Sequence, residues 1–353
     1  MLLSEVILDW FCLINTKGVG PKTFWAMMRS YKSAKESLKY VENPYSKKQA
    51  EKILKSMNCE AILANDDMFP RFLRRSCFCP PILFFKGNKS ILSKRKIAII
   101  GARNASIGGR SIAKNLASNL SNEFAIVSGL ARGIDTSSHI GSLENLNNKS
   151  AIAVLPFGFD NIYPKENQKL FQEIAENGLV LTEVSNGHAS DQGMFQARNR
   201  IISLISEAVI VIEAAYKSGT IATAKLALDF GCEVMVVPGS PVDPRNLGSN
   251  SLIKNGATLI QNHFDVLEAM GENQQQNQLE ISQIEQKASE NTDTNDIRQK
   301  ILALLSETPT SLEEISVHIN INIRELLCLV SELEISGEII KYSNNEIVLS
   351  GKV

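Results

Sequence analysis

Two arginines one residue apart, Arg198 and Arg200 in FQARNRIISL, carry the most directed chemistry in the chain. A guanidinium is a planar fork of N–H donors, so a pair of them suits phosphate or carboxylate better than a point charge does. A helix beginning near Ala197 groups Ile201, Leu204 and Ile205 on its apolar side. On that helix Arg198 falls inside the apolar sector and Arg200 near its edge. An arginine buried in mid-helix is expensive, whereas in a first turn it reaches past a sheet edge toward a ligand. The expectation is that both hold an anion, with Asn199 between them. A salt bridge to Glu183 or Glu213 is the alternative.

Other stretches offer related chemistry. In GARNASIGG (101–109) Arg103 projects from a loop, and Ser106, Gly108 and Gly109 open a helix whose amides would face an anion. The pattern is neither GxGxxG nor GxxxxGK[ST]. In SGLARGIDTSSH (128–139) Gly129 and Gly133 permit a tight turn carrying Arg132, and Asp135 caps the next helix with His139 on the same face. With no nucleophile or metal partner in view, Asp135 and His139 read as a structural or ligand-orienting pair. In PFGFDNIYPKENQKLF (156–171) Pro164 starts a helix and Lys165 lies in its first turn, where the helix dipole disfavours a cation unless an anion is bound. In EAAYKSGTIATAKLA (213–227) Ser218, Gly219 and Thr220 precede a helix, with Thr223 one turn on, a cradle of amides and hydroxyls.

These stretches follow short β-branched runs: KIAIIG, FAIVSG, AIAVLP, LVLTE, AVIVIE, EVMVVPG and GATLIQ. Runs apolar on both sides, alternating with segments of helical period, predict a doubly wound, mostly parallel α/β sheet covered on both faces. Its ligand crevice belongs beyond the carboxyl ends of the strands. One anion-binding loop is weak evidence; four converging on one crevice are strong.

At 353 residues the chain has room for several domains. Residues 1–70 alternate at helical spacing and contain NTKGVGPKTFWAMM, a helix–GVG–helix turn that reads either as a phosphate-meeting turn or as a plain turn between core helices. Residues 71–270 hold the α/β pattern. Residues 271–296 are polar and of low complexity, the composition of a flexible linker. Residues 297–353 give helices and two short strands, EIIKY and EIVLS, a winged-helix pattern in which Thr310 or Ser311 with Glu313 or Glu314 resembles a capping box.

The net charge of −1 hides an asymmetry: residues 1–96 carry +10, residues 97–270 −3 and residues 271–353 −8. A basic front and an acidic back argue for different partners. The helix NIRELLCLVSELEIS is acidic, the wrong sign for a major groove. Its apolar positions Leu326, Leu327, Leu329, Val330 and Leu333 cover more than one face, so this tail is expected to bind protein rather than DNA. The six cysteines form no CxxC pair, and reduced thiols of a cytoplasmic protein without a metal are expected. MLLSEVILDWFCLI holds Glu5 and Asp9 and has no basic start, so no signal peptide is expected, and no apolar run reaches the ~18 residues of a membrane span.

Together the motifs resemble the DNA-processing protein A family (DprA, also called Smf), over nearly the whole chain. The resemblance rests on GARNASIGG, SGLARGIDTSSHIG, FGFDNIYPKEN, LTEVSNG, FQARNRIIS, EAAYKSGTIATA and VVPGSPVDPRNLGSNSLIKNGA. It implies a sterile-alpha-motif-like or helix-hairpin-helix N-terminal domain, an extended Rossmann domain and a winged-helix tail. It also implies single-stranded DNA binding, loading of the RecA recombinase for homologous recombination in natural transformation, a homodimer through the Rossmann domain, no cofactor and no catalysis. By that match Arg103, Lys165, Arg198 and Arg200 are the phosphate-contacting cations. The loops bearing Ser106, Gly129, Arg132, Gly133, Asn199, Ser218, Gly219, Thr220 and Thr223 add further contacts. Gln196 stands where the family usually has proline, and Cys232 replaces a common arginine. The competing class is a nucleotide-phosphate hydrolase of the lysine-decarboxylase-like type, whose PGGxGTxxE motif SGTIATA lacks in both its glycine pair and its acid.

Overall fold

A computed structural model describes residues 4–145, 148–188, 191–271, 323–341 and 346–349, with short stretches between 298 and 321. The chain opens with helices α1 (Glu5–Ile14), α2 (Pro21–Tyr31), α3 (Ala34–Ser37) and α4 (Lys47–Met57). Pro21 takes the first position of α2, where its missing N–H would have had no partner anyway.

A sheet then forms from β1 (Glu60–Leu63), β2 (Ile82–Gly87), β3 (Lys96–Gly101), β4 (Ala125–Ser128), β5 (Ala151–Val154), β6 (Leu179–Thr182), β7 (Ala208–Ile212), β8 (Glu233–Val236) and β9 (Thr258–Leu259). Their order is β1-β2-β6-β5-β4-β3-β7-β8-β9. The stretch from β6 to β9 is parallel, while β1 and β2 add an antiparallel edge. All seven apolar runs are the parallel strands. These two antiparallel strands went unpredicted, and β1 lies inside the stretch assigned to helices. EAIL is too short to show a period, and the apolar run of β2 follows directly on Pro80 and Pro81.

Between the strands run α5 (Arg71–Arg75), α6 (Ile107–Leu120), α7 (Ile134–Glu144), α8 (Gln168–Asn177), α9 (Gln192–Ile205), α10 (Gly219–Asp229), α11 (Leu247–Lys254) and α12 (His263–Ala269). Ile97 and Ile99 of β3 enter one core with Ala113, Leu116 and Leu120 of α6. Ala98 and Ile100 enter the opposite core with Ile201 and Leu204 of α9. The pleat of a single strand thus feeds both faces. The N-terminal helices join the second core, with the Phe11 ring 6.2 Å from that of Phe84 in β2.

Strand β3 lies between β4 and β7, so the connection order reverses there and opens a crevice at the carboxyl ends. Helix α9 starts at Gln192, capped by Asp191, and not near Ala197 as its apolar period suggested. The opening turn is polar, so hydrophobic spacing does not register it. Arg198 is therefore in the helix interior and not in a first turn.

In the C-terminal part α13 (Ile323–Ile335) packs with β10 (Thr310–Ser311), β11 (Ile339–Lys341) and β12 (Glu346–Leu349), an antiparallel sheet in the order β10-β12-β11. Leu326, Leu329, Val330 and Leu333 fill its core, while Leu327 is exposed. Thr310 and Ser311 form β10 and lead directly into helical Leu312, while the Glu313 and Glu314 of the expected capping box, and residues 272–296 of the expected linker, lie outside the described residues. No helix among the described residues is long and apolar enough to cross a membrane.

Candidate functional site

A cavity of 520 Å³ occupies the reversal point. Its walls come from Gly101–Asn104 after β3, Asp135 after β4, Arg198 and Asn199 of α9, Ser218–Thr220 and Thr223 at the start of α10, and Arg245 after β8.

The floor is charged and already satisfied. Arg198 is only 5% exposed. Its Nη1 donates to the carbonyls of Gly129 and Val154, the last at 2.7 Å, and its Nε to Asn199 Oδ1 at 3.0 Å. The role of Gly129 follows, because a Cβ there would stand 2.1 Å from the guanidinium. Burial pulls the Arg198 pKa down to about 10, with the Asp135 carboxylate opposing and Arg103 adding to the fall. The group stays charged at neutral pH. Asp135 accepts the amides of Gly129 and Ala131 at 3.1 and 3.3 Å, and burial raises its pKa against the Arg198 charge. The loop amides after β4 thus point at the protein's own carboxylate. Beyond it His139 is fully buried with neither ring nitrogen hydrogen-bonded, and burial first, then Arg198, pulls its pKa to about 3. Asp135 and His139 share the buried side of α7 with no hydrogen bond between them.

The start of α6 is filled in the same way. Glu213, at the end of β7, takes the Ser106 amide at 2.8 Å and the Ser106 hydroxyl. The hydroxyl also caps the Gly109 amide at 2.8 Å. Glu213 holds φ 52°, a conformation that costs a non-glycine residue about 1–3 kcal/mol. A Cβ on Gly109 would stand 2.7 Å from its carboxyl carbon, so that glycine makes room for a carboxylate of the chain, where a phosphate was expected. Arg200 departs from expectation too. Its Nη2 pairs with Glu183 and its Nη1 with the Phe78 carbonyl, away from the cavity, and burial raises Glu183 while Arg200 opposes the rise. The Glu183 salt bridge, the alternative left open by the sequence, is the one formed. Helical spacing places a side chain on a face but does not say which neighbour's carboxylate meets it.

The rim is different. Arg103 is exposed, with its guanidinium 5.3 Å from the Phe195 ring centre. Tyr163 packs edge-on against the same ring at 5.8 Å and is 47% exposed, and Lys165 is exposed two residues on. Arg132, just past β4, makes a 2.5 Å bridge to Glu166 with both side chains largely exposed, a pairing of little energetic weight that an anion can replace. Gly133 forms the cap position of α7 at φ 76°. At α10, Ser218 caps the Ile221 amide, Thr220 Oγ1 donates to the Gly101 carbonyl at 3.0 Å and Thr223 Oγ1 to the Gly219 carbonyl at 2.9 Å. The hydroxyls are therefore spent on backbone, but the helix start stays open, since nothing lies within 4 Å of a Cβ on Gly219. Sequence reasoning missed Phe195, Tyr163 and Arg245, and it offered Glu213 to an arginine where the fold gives it to Ser106. Phe195 and Tyr163 sit inside the very stretches that held Arg198 and Lys165, and their aromatic character beside a cation was the available signal. Among the described residues no cluster of His, Cys, Asp and Glu could hold a metal ion.

This architecture and these loops match known proteins. The model of the DNA recombination-mediator protein A family matches residues 60–271, that of a DprA-like N-terminal HHH domain residues 4–53, and that of the DprA winged helix domain residues 285–342. The chain belongs to the DprA/Smf family. It is 40% identical over 202 residues to the DNA processing protein DprA of Streptococcus pneumoniae, covering 57% of this chain and 71% of that one. With the protein Smf of Synechocystis it shares 30% identity over 380 residues, covering 93% and 95%. The solved structure of Streptococcus pneumoniae DprA superposes with a TM-score of 0.66 at 30% identity, over 76% of this chain and 98% of that one. A Helicobacter pylori DprA structure, described for its single-stranded DNA binding mode, gives 0.55 at 30% identity over 61% and 97%. The C-terminal region is accordingly a DprA winged-helix domain and the N-terminal helices a DprA-type domain.

Proposed function

We propose that the chain binds single-stranded DNA along the rim of the crevice and delivers it to RecA for homologous recombination during DNA uptake, without catalysis and as a homodimer through its Rossmann domain. One observation carries the reading: exposed cations alternate with rings along the rim, Lys165 beside the exposed Tyr163, then Arg103 over the half-buried Phe195, ending at the open start of α10. Cations meet phosphates and rings stack on bases, the combination that holds a single strand without reading its sequence. The single-stranded DNA binding described for the Helicobacter pylori relative supports it. A purely binding role is in keeping with Asp135, the carboxylate that lines the crevice, whose oxygen is taken up by the amides of Gly129 and Ala131.

The test is fluorescence anisotropy with single- and double-stranded oligonucleotides across a salt series, followed by RecA filament formation on the coated strand. Preference for the single strand, a steep fall with salt and faster RecA filaments are expected. Preference for duplex, or binding indifferent to salt, overturns the reading. The acidic winged-helix tail is assigned to protein contacts, so a chain ending at Met270 should bind DNA as tightly as the whole; a loss of tenfold, about 1.4 kcal/mol, would put the tail on DNA.

A further inference from the structure

The basic front of the chain gathers around a second cavity, of 680 Å³, far in sequence from the crevice loops. Helix α2 presents Lys22, Trp25 and Arg29 to it, at i, i+3 and i+7 and so on one face. Arg74 and Arg75, at the end of α5, line it too, and no carboxylate is among its lining residues. Asp66 and Asp67 are exposed on the preceding loop, and it is the Asp66 carbonyl, with that of Phe69, that Arg74 engages. Lys22, Arg29 and Arg75 are exposed and form no ion pair among the described residues. Cations held this close repel one another within a screening length of about 8–10 Å, and an anion relieves that.

The cations come with rings. The Trp25 indole is fixed by a 2.8 Å hydrogen bond from Nε1 to the Cys79 carbonyl. The Lys22 ammonium stands 4.6 Å from the centre of the Phe78 ring. Phe78 is 43% exposed and Phe72, on α5, 55%. An acidic peptide would answer the charges and leave these flat faces unused; a nucleic acid strand with free bases answers both. We infer that α2 and α5 with its flanking loops form a second binding surface for single-stranded nucleic acid, separate from the crevice. The inference rests on the single-strand reading for its ligand and adds a region to which nothing in that reading refers.

The chain has two tryptophans, Trp10 and Trp25, both in the N-terminal helices, so intrinsic fluorescence reports on this surface and not on the crevice. Full-length protein is titrated with an oligothymidylate of ~30 nucleotides, long enough for two sites of the usual size. Quenching of tryptophan emission is expected. In Lys22→Ala/Arg29→Ala/Arg75→Ala the quenching should vanish, affinity should fall about tenfold, and the salt slope should drop by about two units, at roughly 0.7 per phosphate contact. Arg75→Glu alone should weaken quenching and serves as the independent variant. Emission unmoved by an oligonucleotide that anisotropy shows to be bound overturns the second surface and leaves the crevice reading intact. Conversely, quenching that persists in Arg103→Ala/Lys165→Ala with unchanged affinity leaves this surface standing and removes the crevice. Equal quenching by polyglutamate would reassign the surface to an acidic protein segment and overturn the inference.

Discussion

The floor and the rim of the crevice are built from the same kinds of residue: arginines, glycines and helix starts. On the floor every charge meets the protein itself. Arg198 holds two strand-end carbonyls, Asp135 two loop amides, and Glu213 the start of α6. On the rim, Arg103 lies over a ring, Lys165 is exposed, and the start of α10 opens onto space. The contrast between α6 and α10 is the sharpest, since a serine caps each and a glycine follows within its first turn. A helix start binds whichever anion is nearest. At α6 a carboxylate from β7 arrived first, so only α10 is left for a ligand. The floor therefore sets the shape of the crevice, and in the proposed function the contacts to the strand fall to the rim.

The largest effect that could break this division belongs to Arg198→Ala. Removing this buried cation leaves the Gly129 and Val154 carbonyls without their donor and takes away the charge that favours ionised Asp135, a loss of about 2–5 kcal/mol in folding stability. Chemical denaturation should show it; a fully stable variant that has lost DNA affinity would move Arg198 to the rim. Gly109→Ala and Gly219→Ala test the two helix starts directly. The first drives a methyl into Glu213 and should cost about 1–3 kcal/mol. The second should leave stability within about 0.5 kcal/mol and weaken DNA binding by crowding the open amides. Equal effects of the two on stability would erase the difference between α6 and α10.

Acid should act through the floor. His139 has its pKa depressed from 6.5 to about 3 by burial. Below pH 6.5 the unfolded chain takes up a proton that the folded chain refuses, so stability falls with decreasing pH from 6.5 toward 3, by about 1.4 kcal/mol per unit at most. His139→Leu, which removes two unbonded nitrogens from the core, should flatten that part of the pH profile of unfolding; an unchanged slope would show that another group carries it. The smallest structural effect and the clearest functional one are expected of Arg103→Ala. It should melt like the parent, bind single-stranded DNA about tenfold more weakly and reduce the salt slope by about one unit. A drop in melting temperature comparable to that of Arg198→Ala would mean that the rim is part of the scaffold.

Much of this was legible in the sequence. The seven parallel strands declared themselves through β-branched runs apolar on both faces, because a strand buried on both sides has no polar positions to spare. Ser218 and Gly219 marked the start of α10, because capping chemistry is local. The identity of the crevice loops was readable for the same reason: each lies within a few residues of a strand end. By contrast α9 was read five residues late, at Ala197 instead of Gln192, since a polar first turn leaves no hydrophobic trace.

Local chemistry, then, determined the strands, the caps and the list of residues facing the carboxyl end of the sheet. Only the tertiary structure decided which of those residues were already spoken for. Glu213 lies 107 residues from Ser106, Gly129 69 residues from Arg198, and Phe78 122 residues from Arg200. A guanidinium or an amide binds whatever partner the fold brings within about 3 Å, and no spacing along the chain reports that distance.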